Sequence, residues 1–200
     1  MVKNVIYIFG ASGSGTSTLG RALSEQLGYK WMDTDDYVWM PTNPPFSIQR
    51  EKAERVRLMR EDIERYENVV ISGCVGNWGN ELCPLFTLAV RIVIDSELRL
   101  ARLKKREQER FGDRIAPGGD MYEHHVDFME WASKYDTAGV EMRSKAKHDE
   151  WQKQLTCSII VVDGADDLKK NCELIKKELA WKIFLSKEFR EPEKQHYYVF

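Results

Sequence analysis

Five apolar runs that alternate with helical patterns predict an α/β protein, a three-layer fold with a five-stranded parallel sheet covered on both faces. A glycine-rich loop joins the first run to the first helical pattern. Polar and glycine residues close the other runs, at Asp33-Thr34-Asp35-Asp36, Ser72-Gly73, Asp95 and Asp163-Gly164. Folds of this class bind ligands at the carboxyl ends of their strands, so these residues outline a candidate site.

The first run is Val5-Ile6-Tyr7-Ile8-Phe9, and the loop after it is Gly10-Ala11-Ser12-Gly13-Ser14-Gly15-Thr16-Ser17. The loop fits the phosphate-binding pattern G-x-x-x-x-G-K-[ST] at every defined position but one, because Thr16 occupies the place of the lysine. Successive N–H groups of such a loop turn inward around phosphate oxygens. The helix that begins near Thr16 adds unsatisfied N–H groups and the positive end of its dipole. Ser17 holds the position whose hydroxyl serves Mg2+. Gly10 through Thr18 are therefore the candidate nucleotide cradle. Thr16 cannot supply the mobile positive charge that a lysine brings to the outer phosphates. The competing reading is a plain Gly/Ser turn, which would need only one or two glycines.

The first helical pattern runs from Thr18 to Leu27 and stops at Gly28, after which Tyr29-Lys30-Trp31-Met32 is a short strand. A Pro-rich loop from Pro41 to Pro45 follows. Ser47 is the expected cap of a charged helix from Ile48 to about Tyr66, with Val56, Met59, Ile63 and Tyr66 at helical spacing. The third and fourth strands are Val69–Gly73 and Leu88–Asp95, and Ser96 is the expected cap of the next helix. Ser158–Gly164 is the fifth strand, leading into a helix from Asp166 to about Phe184.

Arg99, Arg102, Arg106, Arg110 and Arg114, with Lys104 and Lys105, crowd the stretch before Pro117-Gly118-Gly119. Residues four apart are neighbours on a helix, so Arg102, Arg106 and Arg110 share one face. A stripe of guanidinium groups beside a Gly/Pro hinge suits a lid that closes over polyphosphate. The plainer reading is a solvated face on which Glu107 and Glu109 balance the arginines. Arg50, Arg55 and Arg57 could hold an anionic acceptor or simply decorate a surface helix. Trp131, Tyr135, Asp136 and Arg143 are candidates for an acceptor pocket, with Trp131 equally suited to a core. His124-His125 has no convincing metal-ligand spacing.

Two hundred residues with 42% hydrophobic and 31% charged content suit one domain over 1–185, with a lid at about 99–120 and a tail over 186–200. A net charge of -2 gives no footprint for nucleic acid. The start Met1-Val2-Lys3-Asn4 leads directly into the first strand and no apolar run nears membrane-spanning length, so the expected location is cytoplasmic, without a membrane. Cys74, Cys83, Cys157 and Cys172 form no C-x-x-C pair and are expected as reduced thiols.

With these features in place, the chain resembles the P-loop small-molecule kinases of the adenylate kinase and shikimate kinase group over roughly residues 3–180. The resemblance implies a strand order of 2-3-1-4-5, ATP with Mg2+ as phosphoryl donor, and a helical lid. Trp31-Met32-Asp33-Thr34-Asp35 looks like the F-x-D-[ST]-D segment of shikimate kinases, in which one carboxylate serves the metal and the other holds the acceptor hydroxyl. By that analogy Asp33 joins Ser17 as a metal ligand, and Asp35 orients or deprotonates an acceptor hydroxyl; the sequence does not divide these roles among Asp33, Asp35 and Asp36. Archaeal-type cytidylate kinases are similar at G-S-G-T-T-T, where this chain has Gly13-Ser14-Gly15-Thr16-Ser17-Thr18, so loss of the lysine need not abolish transfer.

The expected function is transfer of the γ-phosphoryl group of ATP to a small acceptor, either a hydroxylated metabolite or a nucleoside monophosphate. Arg102, Arg106, Arg110 and Arg114 would stabilise the transferring charge. The alternative is a catalytically inactive ATP-binding regulatory protein. The oligomeric state stays open, a homodimer included.

Overall fold

The computed structural model describes residues 3–188. Most of the expected tail, from residue 189 onward, lies outside the described residues; positions 186–188 continue the last helix.

Strand β1 (Val5–Gly10) runs through the centre of the sheet, buried along its whole length. It pairs in parallel with β3 (Val69–Ser72) on one side and with β4 (Leu88–Val93) on the other. Strand β2 (Lys30–Asp33) adds beyond β3, and β5 (Ser158–Asp163) beyond β4. The order β2-β3-β1-β4-β5 is the one the resemblance implies.

Successive side chains of a strand point to opposite faces, and β1 feeds two cores in this way. Val5, Tyr7 and Phe9 pack with Met59, Ile63, Ile71 and Trp151. Ile6 and Ile8 pack with Leu19, Leu23, Val70, Val90 and Ile175 on the other side. Helices α1 (Thr16–Leu27) and α7 (Leu168–Glu188) cover the second face. Helix α3 (Lys52–Arg65) covers the first; it is strongly charged, but Val56, Met59 and Ile63 are buried. Each such side chain contributes about 1.5–3 kcal/mol, enough to hold a helix whose other faces are solvated.

Several element boundaries depart from the sequence expectation. α3 begins at Lys52, not Ile48, because Trp39 and Gln49 form an antiparallel bridge that keeps the preceding chain extended. Ser47 is thereby diverted from capping, and its hydroxyl donates to the Pro44 carbonyl. The short helix α2 (Thr34–Val38) follows directly from β2 and precedes α3. α4 (Ser96–Phe111) is capped by Asp95 in place of Ser96, through a carboxylate that accepts from the N–H groups of Glu97 and Leu98. α7 likewise starts later than expected, after Asp167 accepts from the amides of Lys169 and Lys170. Between α4 and β5 the chain forms α5 (Tyr122–Ser133) and α6 (Lys145–Trp151). All four cysteines are free. Among the described residues no helix is long and apolar enough to cross a membrane.

Candidate functional site

A cleft of about 1340 Å³ lies where the strands end at the glycine loop, Asp33, Ile92 and Gly164, roofed by α4 and α5. Residues Ser12 through Thr18 line it, with Gly10 and Ala11 packed beneath. Two glycines are required here for different reasons. Gly15 has φ +100° and caps α1 with only open space where a Cβ would stand, so the backbone angle alone excludes other residues. Gly13 has φ +83°, and a Cβ there would lie 2.7 Å from Leu103 Cγ and 2.8 Å from the Arg99 carbonyl of α4. No side chain caps the N-terminus of α1 and its first turn carries no acidic residue. Its amides therefore face the cleft ready for an anion. The buried Ser14 hydroxyl also lacks a partner, as a polar group in a phosphate cradle would before the phosphate arrives.

Ser17 donates to Asp33 Oδ2 at 2.7 Å, so the two expected metal ligands converge. The other oxygen, Oδ1, accepts from the Asp35 amide at 3.0 Å and caps α2. One carboxylate thus ties the end of β2 to α1 and fixes the turn that aims Asp35 and Asp36 at the cleft. Hydroxyl and carboxylate oxygens are the donors Mg2+ takes, and it needs only one or two carboxylates besides water and phosphate oxygens. These residues fit that ion.

Asp35 keeps exposed surface, yet the walls of the cleft enclose it. Desolvation, and then the neighbouring Asp33 charge, raise its pKa above the ordinary aspartate value; Arg143, Arg106 and Arg110 pull the other way. Asp36 is raised by the same two causes.

The arginine stripe divides. Arg102, Arg106 and Arg110 all line the cleft. Arg102 donates to the Gly164 carbonyl at 2.9 Å, which clamps α4 to the end of β5. Arg106 lies over Phe128 and Arg110 over Phe46. Arg114 is not brought to the cleft: it sits past the end of α4 and forms a two-pronged pair with Asp120 at the surface. Arg99 is buried, donating to the Ala132 carbonyl and to Asp136, and so fastens α5 and the turn after it to α4.

Arg143 is the functional candidate whose role the sequence left vague. It lines the cleft, donates from Nη2 to the Gly10 carbonyl at 2.8 Å, and keeps a buried Nε without a partner. It reaches the glycine loop from 133 positions away, so no local spacing could have joined them. Of its companions, Trp131 lines the cleft, Tyr135 is buried against His148, and Asp136 serves Arg99. Arg50 is spent on the carbonyls of Asp36, Tyr37 and Trp39, Arg55 on Arg50 and Gln49, and Arg57 on Glu54 and Glu61. None of these three lines the cleft.

Sheet order, glycine cradle and the Ser17–Asp33 contact define the class: a P-loop protein with the fold of the shikimate kinase-like group of small-molecule kinases. Among solved structures, shikimate kinase from Bacteroides thetaiotaomicron superposes with a TM-score of 0.56 at 17% identity, covering 88% of this chain and 98% of that one. The sequence pattern of the AAA domain family matches residues 6–116, and the chain belongs to that family. It is 42% identical over 170 residues to uncharacterized protein YqaC of Bacillus subtilis (strain 168), covering 85% of this chain and 93% of the relative. Cytidylate kinase of Archaeoglobus fulgidus is 30% identical over 113 residues, or 51% of this chain and 61% of that protein.

Proposed function

We propose that this protein transfers the γ-phosphoryl group of ATP to a small acceptor. The observation that carries the reading is the 2.7 Å contact between Ser17 and Asp33, opening onto the same cleft as Asp35 and four arginines. Bound there, ATP with Mg2+ supplies the phosphoryl group and part of the charge that steadies it in flight.

The loop amides from Gly13 to Ser17 hold the β-phosphate, and Ser17 with Asp33 holds the metal. Where the acceptor group is a hydroxyl, Asp35 accepts its proton, a task its raised pKa favours. Arg102, Arg106 and Arg110 stabilise negative charge on the transferring group. Loss of one such donor costs about 10² to 10³ in rate. An arginine can contribute about 10³ to 10⁵ in related chemistry. Three clustered guanidinium groups, with Arg143 at the loop itself, are therefore sufficient in magnitude to offset Thr16. Location in the cytoplasm accords with this use of ATP.

Thr16 is the observation that favours a second reading, an ATP-binding regulator without turnover. A coupled assay of ADP release across hydroxylated metabolites and nucleoside monophosphates separates the two. Acceptor-dependent release lost in Asp35→Asn supports transfer; tight ATP binding without turnover on any acceptor supports the regulator.

A further inference from the structure

Beyond the phosphate end, the cleft opens into a recess whose walls are unlike those expected for a small polyhydroxylated acid. Phe111, Ile115 and Met121 form a small core of their own, separate from the two that flank the sheet, with Phe46 packed on it. Trp39 meets Phe46 edge to face with ring centres 5.8 Å apart. Facing residues of α5 supply a second pair, Phe128 and Trp131, offset-stacked at 6.0 Å. All of these line the cleft and the four aromatic rings remain partly exposed to it. A ligand with hydroxyl groups around its ring would leave them without partners against such walls, at a penalty for every unmet hydrogen bond. A flat π-system loses nothing there and gains stacking.

The recess is not uniformly apolar. Glu107 of α4 projects into it with only 8% of its side chain exposed, and His125 of α5 stands with Nδ1 3.9 Å from Glu107 Oε2. That nitrogen is buried and has no hydrogen-bond partner. Glu107 has one partner, Arg106, at 3.3 Å. A buried carboxylate beside an unpartnered ring nitrogen forms an edge able to accept from, or donate to, groups set in one plane. The two helices are held at this spacing by Arg99, so the edge is built into the fold.

The backbone of Phe46 adds an independent sign. Its φ is +61°, the left-handed region that a bulky L-residue seldom occupies. Residues kept in such conformations are held by their surroundings and gather at ligand sites. Here the holders are the Arg110 guanidinium, 5.2 Å from the ring centre, and the small core beneath.

From these observations we infer that the acceptor is a nucleobase-bearing molecule, a nucleoside or nucleoside monophosphate. Its planar ring lodges among Phe46, Phe128 and Trp131 with its polar edge on Glu107 and His125, and its sugar side turned toward Asp35. This assignment rests on the phosphotransfer reading above, and it names the acceptor class that reading leaves open.

The test is equilibrium titration of the full chain, saturated with a non-hydrolysable ATP analogue and Mg2+, followed by turnover with ATP. One panel holds the common nucleosides and their monophosphates; the other holds shikimate and gluconate as hydroxylated acids without an aromatic ring. At least one nucleoside or monophosphate should bind and be phosphorylated, and its chemical form identifies whether hydroxyl or phosphate is the acceptor group. Phe128→Leu, which keeps apolar bulk, should lower kcat/KM for that compound by about tenfold, with ATP affinity unchanged. Glu107→Gln should change which base is preferred. Binding or turnover confined to the hydroxylated acids would overturn the acceptor class while leaving phosphotransfer intact. Binding of a nucleoside without turnover would support the recess and count against phosphotransfer. No saturable binding of any nucleobase compound would overturn the inference outright.

Discussion

At the glycine-loop end of the cleft, where the proposed phosphate would sit, the lining is largely backbone, whereas at the far end, proposed for the acceptor, it is side chains. The loop from Gly10 to Ser17 is fixed by its strand, its helix and two positive-φ glycines. The recess is assembled from Phe46 of a Pro-rich loop and from residues of α4 and α5 that meet only in three dimensions. On the proposed reading the first surface would recognise a group common to all nucleotides, and the second would choose among acceptors. Backbone amides can hold phosphate with almost any side chains, so the loop would still serve with Thr16 where a lysine is expected.

Asp35 stands between the two ends, and its replacement is the most severe way to separate them. Asp35→Asn should lower kcat by about 10² to 10⁴ while ATP affinity is kept. Single-turnover kinetics beside an ATP titration would show this; an unchanged rate, or a loss of ATP affinity as large as the loss of rate, would break the division. A general base works ionised, so on the proposed reading the rate of the parent should rise with pH through the elevated Asp35 pKa and fall below it. The acid limb of kcat/KM should therefore lie above the ordinary aspartate value and vanish in Asp35→Asn.

Arg143 tests whether the phosphate end is backbone alone. Arg143→Ala should reduce kcat by about 10² to 10³, with Thr16→Lys recovering part of the loss in the same background. If the single variant turns over normally, the loop needs no added cation. A third test concerns the support beneath the loop. His148 stacks edge-on against Phe9 and shares a hydrogen bond with Tyr135; burial first, then Arg143 and Arg91, depress its pKa to about 3. A folded pKa below the unfolded one means stability is complete above the unfolded value, near 6.5, and declines as pH falls toward the folded one. Denaturant unfolding at pH 5 should show a loss of about 2 kcal/mol relative to pH 7.5, and His148→Gln should flatten the slope. The smallest effect belongs to Arg114, whose pair with Asp120 is exposed. Arg114→Ala should leave the thermal unfolding temperature nearly unchanged, because an exposed pair adds little to stability. A large loss of turnover beside that small change would return Arg114 to the site.

The phosphate end was the legible one. A loop motif and an apolar run are local patterns, so Gly10 through Ser17 and the polar strand end at Asp33 could be read without tertiary knowledge, whereas the order of the strands and the metal role of Asp33 came only with the family resemblance. Helical spacing likewise identified Arg102, Arg106 and Arg110 as one face. Spacing could not say that Arg99, seven residues before Arg106 and on the same helical stripe, is sealed beneath α5, nor that Arg114 lies past the helix end with a carboxylate of its own. The caps misled for a similar reason: Asp95 and Ser96 are both good capping residues, and only the backbone angles of the turn choose between them. Arg143, Phe46 and His125 depended on contacts made across long stretches of chain. His125 appeared merely as one half of an unpromising histidine pair.

The contact of Gly13 with the Arg99 carbonyl and Leu103 bears on how such proteins can be recombined. The root of α4 rests on the nucleotide loop with no room for even a methyl group between them. A chimera that borrowed this helix from a relative to change acceptor choice would have to borrow the loop as well, or keep α4 through Leu103 and splice beyond it. The segment from Arg106 to Phe128 is then the natural cassette, and the loop with its helix root is the chassis that receives it.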